Sequence, residues 1–302
     1  MEPINVTFLG TAGAVPQKER NFASVLVSFR GQTLLFDCPE GTQRQLMLSN
    51  HSLMKVQHVF LSHMHTDHFL GLFGWVSTMT MNERKEPLTI YAPRGGKEKV
   101  QRIMRDTIRP SFPIAYKEVK RGVVMKGEGF EVSAFPLKHD VPCFGFVFKE
   151  NDKKGEFNRK KAERLGIPPG PLYAKLAAGK KVKVGKKAFT ERDVMDYSKG
   201  REGRKIVLVS DTRPVQEAVK AAKGAELLIH EATHTEANRE KAMESLHSTA
   251  KEAGEVAKKA KAKKLMLFHF SARKVPEKDI LAEAKKEFKN SFVSKDLENV
   301  RL

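Results

Sequence analysis

Cysteine is almost missing from this chain of 302 residues: there are two, Cys38 and Cys143, far apart and outside any Cys-x-x-Cys spacing. That excludes a disulfide framework and a thiolate zinc site, and leaves both as small core-like residues. Long apolar runs are lacking too, as is a concentrated amphipathic basic helix, which argues against a membrane partner. The opening Met1-Glu2-Pro3-Ile4-Asn5-Val6 shows no basic segment followed by an apolar stretch and a cleavage site, so a cytoplasmic protein is expected. Acidic residues are the third shortage. Asp and Glu number 36 against 55 Lys and Arg, a formal net charge of +19, which points to a polyanionic partner, nucleic acid first.

What is present is histidine in a dense cluster. An apolar run at 56–61 leads straight into Ser62-His63-Met64-His65-Thr66-Asp67-His68. Histidines at alternate positions leaving a strand can point at one metal, while Asp67 and His68, at the start of a helix, can point at a second. Around this cluster, alternation and turn residues predict strands at 6–10, 24–29, 33–36, 88–92, 114–119, 130–137, 143–149, 205–209, 226–229 and 264–268. Helices are predicted at 40–48, 69–81, 95–108 and 216–223, with two more before 264, the second starting near His247. The second half repeats the first half's order of strand, polar edge residue and helix. That implies two β-rich halves facing each other with helices outside, an α/β fold of αββα sandwich type.

Residues 151–200 break the pattern, being rich in Lys, Gly and Pro with little apolar periodicity. They read as an insertion into a domain spanning 1–302, either a flexible solvated loop or a functional arm.

The string His63-x-His65-x-Asp67-His68 resembles the signature of the metallo-β-lactamase superfamily. On that resemblance His63, His65, His139 and Asp211 complete one metal site and Asp67, His68, His269 and again Asp211 a second, with Asp211 bridging. The donors are nitrogen and oxygen only, which suits two zinc ions and to a lesser extent manganese. Metal-assisted hydrolysis at phosphorus is the natural chemistry. Asp67 is also placed to orient and deprotonate the attacking water, His247 to protonate the leaving oxygen, and Glu231 to hold His247 in the needed tautomer. Taken alone, His247 fits a helix start equally well and Glu231 a structural ion pair; spacing does not separate these.

Taken together, the chain resembles the ribonuclease Z family in its short form, the tRNA 3′-processing endonucleases, over essentially its whole length. His230-Glu231-Ala232-Thr233 and His247-Ser248-Thr249 match the family's H-E-A-T and H-S-T motifs, which are far more selective than the metal motif. The resemblance implies removal of the 3′ trailer from precursor tRNA near the discriminator base, leaving a 3′-hydroxyl on the tRNA and a 5′-phosphate on the trailer. It implies substrate contacts from Lys18, Arg20 and Asn21 in the P-x-K-x-R-N stretch, and a tRNA-binding arm at 151–200 carrying the Gly170-Pro171 feature. It also implies a homodimer in which one subunit's arm presents tRNA to the other's active site. After His269-Phe270-Ser271-Ala272-Arg273 this chain has Lys274 where relatives commonly have an aromatic residue; Arg273 is a further substrate contact by resemblance, or a structural ion pair. Competing readings are a small-molecule hydrolase of thioesters, lactams or phosphodiesters, a β-CASP nuclease, for which the insertion is too short, and a non-catalytic RNA-binding module.

Overall fold

A computed structural model describes residues 2–272 and 276–302. The chain divides into two compact units, one made of Met1–Lys149 with Lys205–Leu302, the other of Glu150–Arg204.

In the larger unit the strands form two seven-stranded sheets and a small parallel pair, Ala12–Gly13 with Phe270–Ser271, among the described residues. The first runs Asn299–Arg301, Asn5–Gly10, Ser24–Phe29, Gln32–Phe36, His58–Phe60, Leu88–Ala92 and Ile114–Glu118. The second runs Ser291–Val293, Leu265–Phe268, Leu227–Glu231, Lys205–Val209, Phe144–Glu150, Phe130–Pro136 and Gly122–Gly127. Alternate residues of each strand share a face. Val6, Phe8, Val25, Val27 and Phe60 meet Val132, Phe146, Ile206, Leu208 and Ile229 in the core between the sheets. Leu9, Leu26, Leu35 and Ile90 turn the other way, onto Leu46, Trp75, Val76, Val100 and Met104 of the outer helices. Val207, Val209, Leu228 and Leu265 likewise meet Ala218, Ala253, Val256, Ala257 and Ala284. Both faces of each sheet are covered, which is why so many strands read as nearly unbroken apolar runs. This is the expected αββα sandwich.

The site depends on strand direction. Gln32–Phe36, His58–Phe60 and Leu88–Ala92 are parallel, as are Lys205–Val209, Leu227–Glu231 and Leu265–Phe268. Asp37, the His63–His68 stretch, Asp211, Glu231 and His269 all lie at or just past carboxyl ends of these strands.

In the larger unit the sequence reading missed the strand Gly122–Gly127, the short paired strands Ala12–Gly13 and Phe270–Ser271 and, beyond residue 271, the helix Glu277–Glu287 and two edge strands. The predicted helix at 69–81 is two, Thr66–Phe69 and Gly71–Met81.

The smaller unit has a core of its own, built from Ala162, Ile167, Leu176, Val182, Phe189 and Val194, with Phe157, Leu172 and Tyr173 packed on it. These residues come from short helices and a hairpin, Val182–Val184 with Lys187–Phe189, turned at Gly185 with φ +59°. Elements of three to seven residues are too short to show a period, so the reading of little apolar order overlooked this core. At its base, Glu150 takes both Nη atoms of Arg201 at 2.7 and 2.8 Å and Nε of Arg204 at 2.8 Å.

Candidate metal centre and proton donor

Asp37 follows directly on the strand Gln32–Phe36, in a left-handed conformation with φ +59°. Its carboxylate accepts from Ser62 N at 2.7 Å, Ser62 Oγ at 2.8 Å and His68 Nδ1 at 2.9 Å. His68 therefore carries its proton on Nδ1 and turns a bare Nε2 inward, the arrangement that orients an imidazole for a metal. His63 Nδ1 is engaged 2.9 Å from Ser62 Oγ and His139 Nδ1 faces Leu246 O at 3.4 Å, so their Nε2 atoms also face inward.

The inward atoms converge in two groups. His63 Nε2 and His139 Nε2 lie 3.1 and 3.2 Å from His65 Nδ1. Asp67 Oδ2 lies 3.5 Å from His68 Nε2 and 3.9 Å from His269 Nε2. Asp211 stands between the groups, Oδ2 at 3.7 Å from His63 Nε2 and 3.5 Å from His68 Nε2, Oδ1 at 3.2 Å from His269 Nε2. His68 Nε2 and His269 Nε2 are buried with no hydrogen-bond partner. Buried nitrogens left bare beside carboxylates, and three more turned towards one another, are what a pair of cations would satisfy. Seven side chains from distant parts of the chain thus come together: His63, His65 and His139 in one triad, Asp67, His68 and His269 in another, and Asp211 beside His63 and His68.

Glu231 ends the strand Leu227–Glu231 fully buried. Oε1 accepts from Thr212 N at 3.0 Å, Ser248 N at 2.8 Å and His247 Nδ1 at 3.1 Å; Oε2 accepts from Thr233 N at 3.0 Å and Thr233 Oγ1 at 2.7 Å. One carboxylate thus ties the H-E-A-T stretch to the H-S-T stretch. Burial opposes the ionisation of Glu231, and the His247 imidazole outweighs it, bringing the pKa to about 2. Burial likewise opposes a charged His247, and the carboxylates of Glu231 and Asp211 outweigh it, raising the pKa to about 9. His247 Nε2 faces Asp211 Oδ2 at 3.9 Å. Thr249 makes a capping box with Glu252 at the start of Ala250–Ala260, so it fixes a helix end rather than chemistry.

The segment over this pocket is held from below. Ala14 N donates to Asp67 Oδ2 at 3.0 Å, and a Cβ at Gly13 would fall 2.3 Å from the His269 ring. Arg20, a substrate contact by resemblance, is anchored within the protein. Its guanidinium is bound to Thr11 Oγ1, Ser294 O and Glu277 and lies over the Phe270 ring, with the side chain one-tenth exposed. Asn21 Nδ2 donates to Glu40 O, and its backbone N–H to Asp296. Lys18 is exposed and lines a cleft of about 230 Å³ with Asn21 and Arg44. Gly170 and Pro171 are exposed at the start of the helix Pro171–Ala177 in the smaller unit. Arg273 lies outside the described residues.

Asp37 and Thr233 received no role from sequence. Thr233 Oγ1 lies 3.0 Å from His269 Nδ1, and so orients that imidazole as Asp37 orients His68. An acid directly after an apolar strand, Asp37 after 33–36, was the available signal.

A family model described as anti-Pycsar protein Apyc1 matches residues 4–152, which hold the first five of these ligands but neither Asp211 nor the Glu231 and His247 pair. Relatives covering nearly the whole chain decide the family. A ribonuclease Z of Archaeoglobus fulgidus is 44% identical over 296 residues, spanning 96% of this chain and 95% of its own. This chain belongs to the ribonuclease Z family. A ribonuclease Z of Methanothermobacter thermautotrophicus is 41% identical over 300 residues, 99% of this chain and 97% of its own. Among solved structures, the short form of human tRNase Z superposes with a TM-score of 0.70 at 28% identity, covering 98% of both chains. The metallo-β-lactamase fold protein YhfI of Bacillus subtilis superposes with a TM-score of 0.72 at 18% identity, a likeness of fold. The H-E-A-T and H-S-T strings, on which the sequence resemblance was drawn, both converge on Glu231.

Proposed function

We propose that this chain works, as a ribonuclease Z, as a metal-dependent endoribonuclease in tRNA 3′ processing, cutting precursor tRNA near the discriminator base with two zinc ions. The observation that carries the reading is the single buried carboxylate of Glu231 joining H-E-A-T to H-S-T beside a seven-residue ligand cluster. His63, His65, His139 and Asp211 would hold one ion and Asp67, His68, His269 and Asp211 the other; five imidazoles among the donors favour zinc. Such a pair supplies hydroxide near neutral pH and offsets charge at phosphorus.

The residues themselves do the rest. Asp67, steadied by the Ala14 N–H, orients the attacking water and accepts its proton. As the new P–O bond forms, the P–O3′ bond breaks, and His247 passes a proton to O3′, because an expelled ribose alkoxide is strongly basic. Glu231 engages Nδ1, which leaves Nε2 as the donating atom. The products are a 3′-hydroxyl on the tRNA and a 5′-phosphate on the trailer.

The smaller unit grips tRNA phosphates. Its 55 residues carry sixteen Lys and Arg against eight Asp and Glu, and Lys180, Lys181, Lys183, Lys186 and Lys187 are all exposed on or beside its hairpin. Point charges without planar base-reading groups suit an enzyme acting on many tRNAs. A second copy of the chain covers the helices Thr42–Leu48 and Gly71–Met81. These two helices pack on each other and leave large apolar side chains uncovered, Met47 at 65% and Met81 at 81% exposure. Cytoplasmic residence fits a tRNA substrate, and no helix among the described residues is long and apolar enough to cross a membrane.

The deciding experiment maps products from an end-labelled precursor tRNA beside Asp67→Ala and His247→Ala. One metal-dependent cut near the discriminator, lost in the first variant and slowed in the second, supports the reading. Tight tRNA binding with metal present and no cut overturns it.

A further inference from the structure

A cleft of about 430 Å³ opens beside His247, walled by Gly13, Val15, Thr233, His234 and Ser245. It falls in the size range of single-ligand pockets, about 300 to 1,000 Å³. Its lining joins a ring face and an aliphatic side chain to charged groups, Lys241 and Glu244, both exposed. The His234 ring stands 6.1 Å from the His247 ring, and its Nε2 lies 3.3 Å from Ser245 Oγ, which fixes its plane. Ser245 Oγ in turn donates to Lys241 O at 2.6 Å, so that hydroxyl is spent inside the protein. Val15, an aliphatic side chain 54% exposed, belongs to the same wall. Lys241 stands at the rim.

The chemistry says which side of the scissile bond this concavity serves. In the hydrolysis proposed above, the P–O3′ bond breaks and the proton held by His247 goes to O3′. The ribose bearing O3′ must then lie against His247, and its base in the space that His247 walls. We infer that the cleft is the subsite for the last nucleotide kept on the tRNA, with its base laid against the His234 ring and the Val15 side chain. This rests on the tRNA 3′-processing reading. Stacking is sequence-tolerant because every base has a π-face. A subsite of this kind accepts any discriminator base, and Lys241 at the rim is placed for the phosphate preceding it.

The test is a cycle between protein and substrate. Single-turnover cleavage is measured for wild type, His234→Ala and Val15→Ala on precursor tRNA with an intact or an abasic discriminator, and with an abasic first trailer nucleotide. Wild type should lose about 5- to 100-fold on the abasic discriminator, the range of one base stack removed. His234→Ala should lose a comparable factor on the intact substrate and less than about 2-fold more on the abasic one, since the stack it removes is already gone. Val15→Ala, at an exposed position that does not support the core, should show the same pattern with a smaller loss. Losses that simply multiply, or a coupling seen only with the abasic trailer nucleotide, overturn the assignment. Failure of wild type to cut the intact precursor removes the tRNA reading itself, a different result from cleavage without coupling.

Discussion

His247 Nδ1 lies 3.1 Å from Glu231 Oε1, and the same oxygen takes the backbone N–H groups of Thr212 and Ser248. The proposed proton donor is therefore held where three segments meet. His247→Ala should slow precursor tRNA cleavage by about 10²- to 10⁴-fold, the worth of a positioned acid. On bis(p-nitrophenyl) phosphate, whose leaving group needs no proton, the loss should stay within about tenfold. Equal losses on both substrates would remove the acid from His247.

Asp37 reaches the candidate metal pocket directly through His68 Nδ1 at 2.9 Å, and at one remove through Ser62 Oγ, which lies 2.9 Å from His63 Nδ1. Asp37→Ala should weaken binding of the more readily lost metal ion by about 10- to 100-fold. Zinc retained per subunit after dialysis against graded chelator reads this directly, and added zinc should restore part of the cleavage rate. Unchanged retention would mean the ring is held by its packing alone.

Removing charge from the hairpin of the smaller unit tests the grip on tRNA. Replacing Lys181, Lys183 and Lys187 by Ala should lower the slope of log affinity against log salt by about 0.7 to 0.9 for each phosphate no longer neutralised. Turnover of bis(p-nitrophenyl) phosphate should not move. A salt slope equal to that of wild type would show that these lysines face solvent only.

Glu150 makes a pH-dependent contribution to the smaller unit. Burial opposes its ionisation, but hydrogen bonds from Arg201 and Arg204 outweigh this and hold its carboxyl well below the usual range. A group whose pKa falls on folding stabilises fully above its unfolded pKa, about 4.3, and loses that contribution as pH drops through the folded value. Glu150→Gln should cost about 2 to 3 kcal/mol at pH 7, less than a fully buried pair because the Arg201 side chain is 28% exposed. Protection of the unit's amides from hydrogen exchange reads this, and the gap between variant and wild type should narrow below about pH 4. A gap independent of pH would assign the cost to shape instead.

Met47 and Met81 test the proposed dimer. Charge placed at the centre of an apolar contact is costly, so Met47→Glu with Met81→Glu should shift the sedimenting species from dimer to monomer at micromolar protein without lowering the melting temperature. Persistence of the dimer would place its interface elsewhere.

Most of the ligand set was legible because its residues sit at strand ends whose apolar runs are unmistakable: 56–61 before His63, Lys205–Val209 before Asp211, 264–268 before His269. Their grouping into one centre came from the resemblance; the structure supplies the reason, since parallel strands put such ends on one side of a sandwich. The anchoring of Arg20 was not legible, because its partners, Ser294 and Glu277, come from the far end of the chain. Asp37 and Thr233 escaped for a related reason. They touch imidazoles rather than a reactant, and nothing in a linear string marks a residue whose task is to choose a tautomer.

The strand Phe144–Glu150 is antiparallel to Lys205–Val209, with Lys149 opposite Lys205. Everything in the smaller unit is thus strung between two positions already side by side, in the place an ordinary two-residue hairpin turn would occupy. The proposed chemistry and the proposed grip are consequently separable units of inheritance: lengthening, recharging or exchanging the insert leaves the sheet's register untouched, and the same scaffold can be handed a different cargo.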